Sequence, residues 1–324
     1  MRVLVTGAGG FLGRHVIEKL VSRGEEAVAF DQTFKPALPG GAEPMLGSVT
    51  DPKALMRAME DCDVVVHCAA LTGLWQRRAM DYEVVNVGGT RTVLDAAQKM
   101  SIAKVVHVSS FVTLIAGERG EARKVDERLE LPLARMLGPY PRSKRRAELI
   151  CRRHPVDPVI VMPTAPIGPG DYNLTPPGRM LRDLATGKLP ALIDCTWNIV
   201  DIRAVAEGVI DAIDMGRPGR RYLLGGENLD TDTLAGLVER LSGRKAPRMR
   251  VPYGVALAAG YVSAANAALT GIAPTAPLTG VRLAGPRLRF STKRAEQEIG
   301  YRPTSAISAF RDALKWMQTE GLIG

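Results

Sequence analysis

Along the first part of the chain, short apolar runs of strand length alternate with stretches whose apolar residues recur every three to four positions. Arg2–Thr6 (RVLVT) reads as a buried strand, and Phe11, Leu12, His15, Val16 and Leu20 mark the helix that follows. Glu26–Phe30 is a second strand closed by Asp31, and Pro36 to Gly47 a proline- and glycine-rich connection. A helix opens at Asp51-Pro52, Asp63–His67 is the next buried strand, a long helix runs from about Ala79 to Met100, and Lys104–Val108 is a further strand. Such alternation predicts an α/β fold whose parallel sheet is covered on both faces. Further on, Asp201 to Met215 reads as a helix, Arg221 to Leu224 as a strand, and Asp230 to Leu241, Thr292–Ile299 and Ile307–Thr319 as helices.

Two later stretches break the pattern. Pro166, Pro169, Pro176 and Pro177 mark a turn-rich segment suited to a substrate lid, with Arg179 and Arg182 there as anion or ring contacts or plain surface residues. Val251 to Val281 holds no charged residue, and Gly254 to Thr270 is apolar nearly all round. A helix of that kind is a core or lid helix, an interfacial anchor or a membrane span; Pro252 and Asn266 weigh against the span.

Between the first strand and helix, Gly7, Gly10 and Gly13 fall three apart. A strand, a glycine turn and a helix N-terminus in that order cradle phosphate, because free backbone N–H groups and the positive end of the helix dipole face one point. Asp31, at the end of the second strand, suits both hydroxyls of an adenosine ribose and repels a 2′-phosphate. That selects NAD over NADP; Lys35 just beyond softens the discrimination and leaves NADP admissible. Cys68–Ala70 and Ser109-Ser110 close the next strands, so these features converge on the carboxyl ends, where parallel sheets bind ligands. His67 reads as a packed strand residue.

Tyr140 and Lys144 are four apart at the start of a helix, hence neighbours on one face. A nearby ammonium lowers a phenol's pKa, which would ready Tyr140 to exchange a proton with a substrate oxygen while hydride moves at a nicotinamide.

Charge and composition narrow the partners. The formal charge is +9, and the densest basic run, Arg142 to Arg153, reads as a solvated helix face with Glu148 interspersed. Aromatic residues are only 5% of the chain, which argues against a nucleic-acid module. The four cysteines and four histidines lack metal spacing, so no metal is expected, and the cysteine usage suits a reducing cytoplasm. The first strand opens at Arg2 without a signal-peptide pattern, so the location expected is cytoplasmic, with peripheral membrane contact through 251–281 as a variant.

These motifs resemble the extended short-chain dehydrogenase/reductase superfamily: TGAGGFLG (6–13), Asp31, HCAA (67–70), Asn86 with GGT (88–90), VSS (108–110), YPRSK (140–144), PTAPIGPGD (163–171), Asn198–Asp201 and IGYRP (299–303). Within it, LGPYPRSK, NLTPPGRM (173–180), WNIVDIRAVAEG (197–208) and RRYLLGGENL (220–229) are most similar to hopanoid-associated sugar epimerases, which themselves resemble dihydroflavonol 4-reductases and 3β-hydroxysteroid dehydrogenases. The resemblance implies a Rossmann-type doubly wound parallel sheet, spanning 1–170 with 196–215 returning to it, and a smaller discontinuous C-terminal substrate lobe from 171–195 and 216–324. It implies Tyr140 as general acid/base, Lys144 as its partner and Ser110 as the hydroxyl orienting the substrate. Gly7, Gly10, Phe11, Leu12, Gly13, Asp31, Ala69, Ala70, Ser109, Thr164 and Ala165 would join Tyr140 and Lys144 in holding the dinucleotide. A homodimer is expected by the same analogy.

Two positions depart from the sugar-nucleotide epimerases of the superfamily. Phe111 stands where their catalytic Ser or Thr stands, and Gly47-Ser48 replaces a Gly-Asp adenine contact. The hydroxyl must then come from Ser110 or Thr113, and Phe111 facing the substrate suits an apolar ligand. The activity expected is NAD(P)-dependent interconversion of a secondary alcohol and ketone on a bulky hydrophobic small molecule of steroid, triterpenoid or flavonoid type. The alternatives are a nucleotide-sugar epimerase or dehydratase that keeps its NAD, and a non-catalytic dinucleotide-binding protein.

Overall fold

The computed structural model describes residues 1–116 and 123–324. Its first half runs β1 (Arg2–Thr6), α1 (Phe11–Ser22), β2 (Glu26–Asp31), β3 (Ala42–Leu46), α2 (Pro52–Ala58), β4 (Val64–His67), α3 (Met80–Tyr82), α4 (Gly89–Lys99), β5 (Lys104–Val108), β6 (Arg123–Val125) and α5 (Pro139–Cys151). The second half runs β7 (Val159–Pro163), β8 (Ala165–Ile167), α6 (Pro176–Ala185), β9 (Leu192–Ile193), β10 (Thr196–Asp201), α7 (Ile202–Met215), β11 (Arg221–Leu224), β12 (Glu227–Asp230), α8 (Thr231–Ser242), β13 (Arg250–Val251), α9 (Tyr253–Thr270), α10 (Leu278–Leu283), β14 (Leu288–Phe290), α11 (Lys293–Ile299) and α12 (Ala306–Thr319).

Seven strands form one sheet in the order β11-β7-β5-β4-β1-β2-β3. Every neighbouring pair in it is parallel. Successive strand residues point to opposite faces, so β1 supplies Val3 and Val5 to one core layer and Leu4 to the other. The first layer packs Val16, Ile17 and Leu20 of α1 and Val205, Val209 and Ile213 of α7 on the sheet; the second packs Leu55 of α2 with Val93, Leu94 and Ala97 of α4. The strand order reverses between β1 and β4, and a Rossmann-type doubly wound sheet opens its ligand crevice there, at the strands' carboxyl ends.

A separate three-stranded sheet, β12-β10-β8, builds a third core. It packs Ile167, Leu181, Leu184, Leu234, Val238, Phe310 and Leu314 from β8, α6, α8 and α12. Two small two-stranded sheets, β13–β9 and β14–β6, tie distant segments together.

The structure departs from the expected elements in two places near the site. The connection expected over Pro36 to Gly47 contains β3, an edge strand whose positions are mostly exposed and include Pro44. Proline has no donor for a ladder and is tolerated at a sheet edge, so strand and connection look alike in sequence. The helix expected from Ala79 to Met100 is interrupted by a wider π-helical segment, Glu83–Gly88. That segment turns Asn86 inward. Among the described residues no helix is long and apolar enough to cross a membrane, which removes the spanning reading of α9.

Candidate active site

β1 ends at Thr6, and Gly7 turns the chain with φ +71°, its N–H donating to the Phe30 carbonyl at 2.9 Å. A Cβ at Gly7 would lie 2.6 Å from the Ala69 nitrogen, and one at Gly13 would lie 2.1 Å from the Gly7 carbonyl oxygen. The turn therefore closes only without side chains, and its glycines bring β1, α1 and the loop after β4 to van der Waals contact. Gly10 caps α1 with no side-chain hydrogen bond, and the first turn holds no acid, so the donors of the helix N-terminus are open to an anion. Asp31 closes the far side. Its Oδ2 accepts from the Gly9 N–H at 3.0 Å and its Oδ1 from the Gln32 N–H at 2.7 Å. Burial raises its pKa, and these backbone donors oppose the rise.

One cavity of about 850 Å³ runs from this cradle across the sheet's carboxyl edge. Gly7, Gly10, Phe11, Leu12, Gly13, Asp31, Ala69, Ala70, Ser109, Ser110, Phe111, Tyr140, Lys144, Thr164 and Ala165 all line it. Thr164 is 4% exposed, and its hydroxyl oxygen is buried without a partner. An orphaned hydroxyl, a glycine cradle that any Cβ would fill and a carboxylate at the end of β2 together fit a nicotinamide dinucleotide.

Tyr140 and Lys144 sit on the first turns of α5, both buried. The Lys144 ammonium donates to the Val108 carbonyl at 2.7 Å, and burial pulls its pKa down to about 8. The Tyr140 phenol, hydrogen-bonded to the Ser110 hydroxyl, is raised above its ordinary pKa because burial outweighs that bond. This corrects the expected depression by Lys144: desolvation dominates, and Lys144 spends its hydrogen bond on the end of β5. Tyr82 stands beside Tyr140 with ring centroids 6.0 Å apart and donates its hydroxyl to the Gly73 carbonyl.

Asn86 fixes the wall opposite. Its carbonyl oxygen accepts from Leu71 N–H at 2.8 Å, while its amide donates to the Leu71 carbonyl at 3.1 Å and to Ser143 Oγ at 2.9 Å. Ser143 donates in turn to the Tyr140 carbonyl at 2.8 Å, joining the loop after β4 to α5. His67 is the buried strand residue its sequence setting suggested. Thr90 donates to the Asn86 backbone carbonyl at 2.6 Å, so it accepts from His67 Nε2–H at 3.1 Å, which leaves Nδ1 to accept from Thr6 at 2.8 Å.

Two expectations are corrected. Thr113 is absent from the cavity wall; it is fully buried, and its hydroxyl donates to Glu148 at 2.8 Å. Arg179 is exposed and also off the wall, its nearest bond a 3.4 Å contact to the Leu174 carbonyl. Ser109 borders the cavity, yet its hydroxyl is committed to Glu148. Phe111 does line the cavity and meets the Phe290 ring edge-on, with centroids 5.4 Å apart.

Glu148 itself went unrecognised in the sequence, where the run Arg142 to Arg153 read as a solvated face. Its carboxylate is fully buried and accepts from Ser109, Thr113 and Arg145, the last at 3.0 Å, with Arg221 at 3.5 Å. Tyr140, Lys144 and Glu148 recur at intervals of four, so all three share one inward stripe of α5; that spacing was the available signal.

The chain is similar to known proteins along its whole length. The family model described as "NAD dependent epimerase/dehydratase family" matches residues 3–225. A putative dihydroflavonol 4-reductase of Synechocystis sp. is 30% identical, covering 98% of this chain and 95% of the relative. Sterol demethylase protein B of Methylococcus capsulatus is 30% identical over the full length of both chains. Among solved structures, gox2253 superposes with a TM-score of 0.86 at 32% identity, covering 99% of each chain. The chain belongs to the NAD-dependent epimerase/dehydratase family and is an NAD-dependent enzyme of the extended short-chain dehydrogenase/reductase type.

Proposed function

We propose that this protein interconverts a secondary alcohol and a ketone on a bulky hydrophobic substrate that carries no phosphate. One observation carries the reading. Among the described residues, the charged ones lining the cavity are Asp31, Lys35 and Lys144, and all three belong to its cofactor side. Beyond Tyr140 the wall is built largely from apolar residues, Phe111, Val112, Ile115, Met180, Leu192, Trp197, Val281, Leu283 and Phe290 among them, with the uncharged polar Asn173, Thr175, Thr196, Asn198 and Thr231. A nucleoside diphosphate placed there would leave two phosphate charges with no cation among the described lining residues to meet them, at a desolvation cost of several kcal/mol. A fused-ring or isoprenoid skeleton gains from the same wall at about 25 cal/mol per Å² of apolar surface buried. The names of two relatives, a dihydroflavonol reductase and a sterol demethylase protein, point to the same substrate class.

In this reading Gly7, Gly10 and Gly13 hold the pyrophosphate, Asp31 the adenine ribose, Ala69 and Ala70 the dinucleotide backbone, and Thr164 and Ala165 the nicotinamide end. When bound, the nicotinamide supplies or accepts the hydride. Ser110 holds the substrate oxygen by its hydroxyl. Tyr140 gives that oxygen its proton in reduction and removes it in oxidation. The Lys144 ammonium, four residues along the helix, stabilises the phenolate that proton transfer leaves behind.

The test is nicotinamide absorbance with steroid, triterpenoid and flavonoid ketones against UDP-sugars. Net NADH consumption with an apolar ketone, absent with UDP-sugars, is expected, and Tyr140→Phe should lower kcat at least a hundredfold while cofactor affinity stays within about threefold. Product formed from a UDP-sugar on tightly held, unconsumed NAD overturns the reading.

A further inference from the structure

The packing of α9 is inverted. Ala256, Gly260, Ser263 and Ala267 form its inward stripe, and Gly260 sits so close to α10 that an added Cβ would lie 3.3 Å from Leu278. Tyr253 and Leu257 are half-buried, but three other large apolar residues face water: Val255 is 59% exposed, Val262 71% and Leu269 89%, one heptad apart, with Ile272 just beyond the helix at 69%. A helix that packs on a soluble protein turns its large apolar side chains inward. Here the inward contacts go to small residues and an uncharged stripe faces out, the pattern of a patch that has a partner.

Charge at the two ends says which partner. Exposed Arg244, Lys245 and Arg248 lead into the helix through β13. At its other end Arg77 lies against Gly271, where an added Cβ would stand 3.4 Å from its guanidinium nitrogen, and midway along the helix Arg282 donates to the Tyr261 hydroxyl at 2.7 Å with its guanidinium over that ring. The acids nearby are engaged: Asp232 pairs with Arg250 and Asp81 with Arg78. An uncharged helix of 18 residues, about 27 Å long, with an outward apolar stripe and cations at both ends complements an anionic bilayer surface. A second copy of the same stripe, parallel or antiparallel, would bring cation against cation at both ends.

We propose that α9 lies flat on an anionic lipid surface, its Val255–Val262–Leu269 stripe in the headgroup–acyl boundary and its flanking Arg and Lys residues on lipid phosphates. Docking this way serves the catalytic cavity. α10, on which α9 packs, supplies Gly280, Val281 and Leu283 to the cavity wall, so the docked face is one helix away from the site. A substrate that partitions into the bilayer then reaches the cavity without crossing water. This last step rests on the apolar-substrate reading above; the docking itself does not.

The experiment is flotation of the full chain with extruded vesicles of phosphatidylcholine, with and without 30% phosphatidylglycerol, and no substrate present. Wild type should float with the anionic vesicles, several-fold less with phosphatidylcholine alone, and several-fold less at 0.5 M NaCl. Val262→Glu with Leu269→Glu should cut flotation at least tenfold while turnover of a water-soluble ketone stays unchanged. Should that pair fail to fold, Val262→Ser with Leu269→Ser applies the same test. Wild type that stays at the bottom of the gradient, or a variant that floats equally, overturns the proposal. So does a concentration-dependent dimer dissolved by the same substitutions, which would make the stripe a self-interface. Because the assay holds no substrate, its failure leaves the substrate reading standing, and absence of ketone turnover leaves the docking result standing.

Discussion

Glu148→Gln is the substitution that asks most of the site. It keeps the shape of the side chain and removes one charge from a carboxylate with no exposed surface. Arg145 and Arg221, only 4% and 5% exposed, would then face a neutral amide, and its one oxygen could serve either the Ser109 and Thr113 hydroxyls, which share Oε1 now, or the two guanidiniums on Oε2, but not both. Breaking a buried ion pair from one side costs about 3–5 kcal/mol, since the other charge stays desolvated. Glu130 offers little relief: it approaches Arg145 only to 3.8 Å and is half in solvent. At about 2 °C per kcal/mol for a chain of this size, Tm should fall by about 6–10 °C in scanning calorimetry. Adding Arg221→Met, which removes one orphaned guanidinium and keeps its length, should recover about 1 kcal/mol or more of that loss. A second readout separates positioning from plain stability. The Glu148 carboxylate, one turn from Lys144, holds the ammonium's pKa up against burial. Without it that pKa drops further below about 8, so the alkaline fall in ketone reduction should move to lower pH. A Tm change under about 2 °C with an unmoved alkaline limb would refute the argument on both counts.

Two further substitutions probe the cofactor end and its support. Asp31→Ala should raise the ratio of NADP to NAD efficiency at least tenfold, because it removes the carboxylate that repels a 2′-phosphate; an unchanged ratio would place ribose selection elsewhere. His67→Gln should flatten the acid limb of stability. His67 has a pKa of about 3 in the fold against about 6.5 unfolded, lowered first by burial and then by the Lys144 charge. The unfolded chain therefore binds more protons between those values, and the stability present above pH 6.5 is lost as pH falls toward 3, by on the order of 4 kcal/mol. Parallel wild-type and variant curves of Tm against pH would exclude His67 as the source.

The parts of this protein that could be read from sequence share one physical property: their signal is local. β1, β2, β4 and β5 are buried on both faces, so they read as continuous apolar runs, and the glycine spacing after β1 reflects backbone clearances set within a few residues. Signals failed where a residue's state depends on distant chain. Arg145 and Glu148 look like surface charges until Arg221 of β11 and the hydroxyls after β5 close over them. Thr113 looked like a substitute catalytic hydroxyl, and the same network claims it. β3 hides at the sheet edge, where exposure and Pro44 erase the apolar alternation.

The two halves of the cavity differ for the same reason. Holding a pyrophosphate demands directional donors at fixed positions, so few sequences satisfy it and the motif stands out. The wall beyond Tyr140 is assembled from Phe111, Met180, Ile193, Trp197, Leu234 and Val281, which arrive from separate turns, strands and helices along the chain. Apolar contact is non-directional and asks only for volume, so no spacing among those positions is selected and none can be recognised. α9 carries that principle to its limit. A helix apolar on every side has no readable face, and what decided its orientation was size: Ala256, Gly260 and Ala267 admit the close approach of α10, and Val255, Val262 and Leu269 do not. The outward stripe is thus a consequence of packing the small residues inward, and its being valine and leucine, where any polar residue would serve the packing equally, is the reason to look for a surface that it contacts.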